Sequence, residues 1–127
     1  MKYFFLSLLI LFSFNALAQQ QIKLEDVKDH VGDSVTLRAT IYGGKYFESI
    51  KGSPTFLNVG GEYPNAPLTL VIWGDARKQF RVAPEVLYQT RQEFISGKIV
   101  LYKGKPEIII TSPGQLEDVV APPTPKQ

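Results

Sequence analysis

Cysteine is absent from the 127 residues, and histidine, methionine and tryptophan occur once each. Without cysteine there can be no disulfide, no thiol nucleophile and no thiolate metal site, so stability must come from a buried core. The lipid-anchored lipoprotein class is also excluded, because it requires a cysteine at the leader cleavage point. His30, the single histidine, stands among Asp26, Asp29 and Asp33. One imidazole among carboxylates on a polar stretch reads as a surface feature before it reads as a metal site. No nucleophile motif and no phosphate-cradling glycine loop is present, so a non-enzymatic protein without cofactor or metal is expected. Charge of one sign is lacking too: 14 basic residues face 12 acidic ones, which excludes bulk attraction to polyanions as the main driving force.

Only one long hydrophobic run occurs, and it is N-terminal. Lys2 supplies a positive start, Phe4 to Phe14 is almost unbroken apolar sequence, and Ala16-Leu17-Ala18 places small residues where a signal peptidase reads. A spanning helix needs about 20 apolar residues, and Asn15 with Gln19-Gln20-Gln21 cuts this run short. The expectation is a signal peptide over residues 1–18, cleaved after Ala18, and a periplasmic or secreted mature protein with no membrane span. Cleavage removes Lys2 and leaves 109 residues with 13 basic and 12 acidic side chains, the size of one domain.

After a lead-in segment, residues 19–30, the pattern acquires a period of two. Val35, Leu37, Ala39 and Ile41 alternate with Thr36, Arg38, Thr40 and Tyr42, which predicts a half-buried strand. Gly43-Gly44 marks a bulge or bend, beyond which Tyr46 and Phe47 continue. Lys51-Gly52-Ser53-Pro54 reads as a loop. The second strand sets Leu57 and Val59 against Phe56 and Asn58. Tyr63-Pro64-Asn65-Ala66-Pro67 interrupts it, since proline has no N–H to donate. Leu68 to Trp73 is the third strand; its apolar run is too continuous for alternation to fix the buried face, and Leu68, Leu70 and Ile72 are expected inward. Short helical turns are expected between Asp75 and Gln92, the first capped by Asp75 and the second opened by Pro84. Phe94 to Tyr102 and Glu107 to Thr111 are the fourth and fifth strands, joined by the Tyr102-Lys103-Gly104-Lys105 hairpin. Ile108 and Ile110 face in, and Gln115 to Val119 reads as a last helical turn. Residues 120–127 read as a Pro-rich disordered tail.

Five strands with a helical insertion between the third and fourth are the element order of an OB-fold, a small Greek-key β-barrel. An all-β OB-fold domain over residues 31–119 is therefore expected. Another small barrel or sandwich is the alternative.

The pieces Val31-Gly32-Asp33, Gly52 with Thr55-Phe56-Leu57-Asn58, Tyr63-Pro64-Asn65, Val71-Ile72-Trp73, and Gly97-Lys98-Ile99 running into Tyr102-Lys103-Gly104-Lys105-Pro106-Glu107-Ile108 resemble the bacterial exported OB-fold modules of the nucleic-acid-binding type. The likeness runs from about Val31 to Leu116. It departs at Thr90-Arg91, where such modules often carry Gly-Lys, and at Glu93, where an apolar residue is expected. The resemblance implies a binding surface on the face of strands two and three, flanked by the first-to-second and fourth-to-fifth strand loops.

On that surface the candidate ligand-binding residues are Lys45, Tyr46, Lys51, Phe56, Asn58, Tyr63, Trp73, Tyr102, Lys103 and Lys105. Aromatics that stack on bases and lysines that meet phosphates are the chemistry of single-strand binding. The same residues also suit a barrel core with a solvated rim. The function expected is a binding module for single-stranded nucleic acid. The alternatives are an envelope protein- or saccharide-binding module and, more remotely, a metal-dependent nuclease using Asp75, Arg77, Arg81 and Glu85. In that cluster surface ion pairing is the plainer reading.

Overall fold

The computed structural model describes residues 19–119. Residues 1–18, read in sequence as a signal peptide, and residues 120–127, read as a disordered tail, lie outside the described residues. Seven strands form one sheet: β1 (Gln20–Ile22), β2 (Ser34–Tyr46), β3 (Thr55–Val59), β4 (Leu68–Ile72), β5 (Arg91–Tyr102), β6 (Lys105–Ile109) and β7 (Leu116–Asp118). Two one-turn helices, α1 (Gly74–Arg77) and α2 (Pro84–Leu87), fill the β4–β5 connection. Short 3-10 turns span Leu24–Asp29 and Pro113–Gln115.

The sheet order β1-β2-β3-β4-β6-β5-β7 acquires a further β2–β5 pairing. That pairing closes β2, β3, β4, β6 and β5 into a five-stranded barrel in which only β4 and β6 run parallel. This is the all-β OB-fold architecture. β1 and β7 lie outside the ring, β1 parallel to β2 and β7 antiparallel to β5. Among the described residues no helix is long and apolar enough to cross a membrane.

The alternation read from sequence builds the interior. Val35, Leu37, Ala39 and Ile41 of β2, Leu57 and Val59 of β3, and Leu68, Leu70 and Ile72 of β4 are all buried in one cluster with Ile95, Ile99, Ile108 and Ile110. Val27, from the first 3-10 turn, joins the same cluster. Val71 is buried as well but lies outside that cluster, which is why the third strand shows no clean alternation.

β2 belongs to both halves of the barrel. Residues 34–41 pair with β5, whereas residues 41–46 pair with β3, and the register shifts between Ile41 and Gly43. Gly44 stands at the closest approach: a Cβ there would collide with the Phe56 carbonyl and lie 2.8 Å from Leu57 Cδ2. Only glycine lets β3 reach hydrogen-bonding distance at this point.

The helical insertion is fastened by Arg77. Its Nη1 donates to Glu85 Oε2 at 2.6 Å and to Thr55 Oγ1 at 2.8 Å, and its Nη2 donates to Glu85 Oε1 at 2.9 Å. The guanidinium also lies 3.6 Å from the centroid of the Tyr46 ring. One side chain thus ties α1 and α2 to β2 and β3, and it satisfies the fully buried Thr55.

Three local expectations are corrected. Asp75 does not cap α1: Trp73 holds the N-cap position without a side-chain bond, and Asp75 sits inside the turn, 3.6 Å from Lys78. β5 begins at Arg91 rather than Phe94, after Thr90 with its positive φ of 57°. Gln115 to Val119 is not helical. The Gln115 side chain closes the preceding turn by accepting from the Ser112 N–H, and it also donates to the Ser96 carbonyl. The chain is thereby laid along the free edge of β5, where residues 116–118 pair as β7.

Glu93, the departure noted in sequence, is 1% exposed. Its Oε1 has no hydrogen-bond partner among the described residues and lies 3.4 Å from Arg91 Nε. Burial pushes this carboxyl above its ordinary 4.5, opposed by Arg91 and reinforced by Asp118. Glu85 moves the other way, held below 4.5 by its hydrogen bond to Arg77 against the cost of burial.

Gly44→Ala is expected to cost roughly 1–3 kcal/mol from steric strain in a packed site, read as a lowered urea midpoint with an unchanged m-value. The two glutamates predict opposite pH slopes. A depressed folded pKa gives stability that is complete above 4.5 and lost as pH falls through the folded value. Glu85→Gln should therefore cost roughly 1–3 kcal/mol at neutral pH, with the deficit shrinking in acid. A raised folded pKa means that the native state holds the proton longer, so stability falls as pH rises from 4.5 through the folded value. Glu93→Gln should accordingly gain on the order of 1 kcal/mol above that window and lose the advantage below it. Urea titrations from about pH 3 to about pH 8 read both signs.

Candidate ligand-binding face

Strand alternation places one set of side chains on the outside of the barrel. Phe56 and Asn58 of β3 point away from the buried Leu57 and Val59. Their neighbours follow from register: Lys45 lies opposite Phe56, Thr69 opposite Asn58, and Glu107 of β6 opposite Thr69. Phe56, Asn58, Thr69 and Glu107 floor a groove of ≈ 630 Å³. One wall is the end of β2, with Gly44, Lys45 and Phe47, and the facing wall is the β5–β6 hairpin, with Tyr102 and Lys105. Tyr63, Pro64 and Ala66 of the β3–β4 loop also line it.

Phe47 and Phe56 meet edge-to-face at 5.5 Å between centroids, with Lys45 Nζ 5.1 Å from the Phe47 centroid. Tyr63 and Tyr102 are 81% and 59% exposed, so two hydroxyl-bearing rings stand unburied at the groove. The floor is polar. Burial raises the Glu107 carboxyl from its ordinary 4.5, and burial is the whole cause. Aromatic faces with amide, hydroxyl and carboxylate groups between them can stack a planar ligand and hydrogen-bond its edge.

Six of the ten residues singled out in sequence meet in this groove: Lys45, Phe56, Asn58, Tyr63, Tyr102 and Lys105. Four do not line it. Tyr46 alternates with Lys45 and so points elsewhere, onto Arg77. Trp73 is 44% exposed and covers Gly52, whose added Cβ would lie 2.9 Å from the indole. With Tyr46 it lines a second cleft of ≈ 590 Å³ beside α1. Lys51 is exposed in the β2–β3 loop. Lys103 sits at the hairpin tip, 5.5 Å from the centroid of the Tyr102 ring.

Sequence reasoning missed Phe47, Thr69 and Glu107 as groove residues. The signal was present for Thr69, because with Leu68, Leu70 and Ile72 inward it must face out. Glu107 needed the β4–β6 pairing, which is not a hairpin and leaves no local mark. Among the residues grouped on the insertion, Arg77 and Glu85 are committed to each other, and Asp75 is paired with Lys78. His30 Nδ1 lies 3.1 Å from Asp33 Oδ2, and among the described residues no group of three or more His, Cys, Asp or Glu side chains is placed to hold a metal.

No protein-family model matches the chain, and no curated protein matches it. Among solved structures it is similar to a protein of Leishmania major Friedlin assigned as an aspartyl-tRNA synthetase, at 10% identity and a TM-score of 0.49. The match covers 84% of this chain but only 22% of that one. The assignment of this chain to the OB-fold rests on its own strand order and on the β2–β5 pairing that closes the ring.

Proposed function

We propose that this protein is a non-enzymatic OB-fold binding module that takes single-stranded nucleic acid along the outer face of β3 and β4. The observation that carries the reading is the groove itself: Phe47, Phe56, Tyr63 and Tyr102 line it, and Lys45 and Lys105 stand on its two walls. Bases stack on aromatic faces for about 1–3 kcal/mol each, and ammonium groups on the walls meet phosphates of the strand that carries them. Glu107 on the floor repels phosphate, so the backbone runs along the lysine rims and the bases turn inward. We infer from the N-terminal pattern of Lys2, Phe4 to Phe14 and Ala16-Leu17-Ala18 that this activity lies outside the cytoplasm, where free DNA strands are the accessible form of the ligand.

One observation favours a second reading. Phe56 beside Asn58, Thr69 and Glu107 is also a set that stacks a sugar ring and accepts its hydroxyl protons. A saccharide carries no phosphate charge, so salt separates the two readings.

Fluorescence anisotropy with a labelled oligothymidylate is the test. Binding should weaken steeply with added salt. Lys45→Ala with Lys105→Ala should lower affinity about tenfold or more and flatten the log–log salt slope by roughly 1.4, for two lost phosphate contacts on a single strand. Lys103→Ala should matter less. Absence of binding to any oligonucleotide at low salt sinks the nucleic-acid reading. Saccharide binding that ignores both salt and the lysine changes establishes the second.

A further inference from the structure

The floor of the groove contains a row of polar side chains that form no side-chain hydrogen bond or ion pair among the described residues. Asn58, Thr69 and Glu107 stand side by side on β3, β4 and β6, in direct register across three neighbouring strands. Strand spacing of about 4.8 Å puts Asn58 and Glu107 roughly two spacings apart, with Thr69 between them. Among the described residues Glu107 forms no ion pair, although Lys45 and Lys105 line the same groove. Nor does a hydrogen bond use the side chain of Asn58 or Thr69.

We propose that Glu107, with Asn58 and Thr69 beside it, makes the groove selective for a guanine base stacked among its aromatic residues. This rests on the nucleic-acid reading of the groove. A carboxylate is an acceptor only, with two oxygens. Guanine alone among the common bases offers two adjacent donors, N1–H and the N2 amino group, on its pairing edge. Both can be received by the two oxygens of Glu107. The O6 acceptor on the same edge then falls toward Thr69 or the Asn58 amide, which can donate. Adenine and cytosine present one amino donor next to an acceptor nitrogen that the carboxylate repels. Thymine and uracil present a single N–H between two carbonyls, and both carbonyls face the same repulsion. Partial burial of Glu107 sharpens the choice, because a carboxylate that loses water needs donors in return.

The experiment uses oligothymidylates carrying one central substitution, with anisotropy measured on the full mature chain at constant salt. A single guanine should tighten binding about tenfold over thymine, the size of one good bidentate contact. Inosine at that position, which lacks the N2 amino group, should lose most of the gain. Glu107→Gln should bind plain oligothymidylate more tightly, since a negative charge is removed near phosphates, and should lose the guanine advantage. Equal affinity for all central bases, or a preference for adenine or cytosine, overturns the guanine assignment and leaves the binding function intact. A guanine preference that persists unchanged in Glu107→Gln overturns the role of Glu107. Failure of every oligonucleotide to bind removes the nucleic-acid function and this inference with it. The inosine comparison requires no mutation, so it decides even if the variant folds poorly.

Discussion

The structure depends on β2 pairing with two partners. Its first half hydrogen-bonds to β5 and its second half to β3, so one continuous strand must turn from one side of the barrel to the other. The bulge between Ile41 and Gly43 makes the turn, and the missing side chain of Gly44 lets the Phe56 carbonyl approach. A side chain here would hold β3 away, and with it the ring that closes through β4 and β6. The functional face inherits this constraint. Phe56 points into the groove because β3 is seated in register against Lys45, and that register holds only while β3 lies close to Gly44.

Closure also explains why the two faces of β3 and β4 have such different characters. The inner residues Leu57, Val59, Leu68 and Leu70 are fully buried. The outer residues Phe56, Asn58 and Thr69 face a concave surface whose walls come from elements distant in sequence. A flat sheet would leave them as isolated surface residues. Barrel curvature, with the end of β2 on one side and the β5–β6 hairpin on the other, brings lysines and aromatic rings from several segments around one polar floor. Arg77 has a supporting part on the neighbouring side. By binding Glu85, Thr55 and the Tyr46 ring, it fixes the insertion against the strands.

Legibility in sequence tracked the range of the interactions. Period-two patterns are local, and they placed the inward residues of β2, β3 and β6 correctly; β4 is a continuous apolar run in which Val71 is buried along with Leu68, Leu70 and Ile72. Pro84 opens α2 as its fixed φ suggests. Asp75 was misjudged as a cap because Trp73 already occupies the N-cap, a choice set by how β4 enters the insertion. The last strand was misread as a helical turn because its β conformation comes from an unused edge of β5, about twenty residues earlier in the chain. Glu93 looked out of place, and it is: the barrel buries it with Oε1 accepting no hydrogen bond among the described residues and only the Arg91 guanidinium beside it.

The sequence by itself determined the class of fold and the two-sided character of the strands that alternate, in a chain without cysteine. These are carried by composition and by alternation over a few residues, which the chain displays openly. Only the tertiary structure decided which candidates share a site. Lys45 and Tyr46 are adjacent in the chain yet serve different clefts, because successive residues on a strand point to opposite sides. Asn58, Thr69 and Glu107 are separated in the chain yet stand in one row, because β4 pairs in parallel with β6 and antiparallel with β3 in the barrel wall.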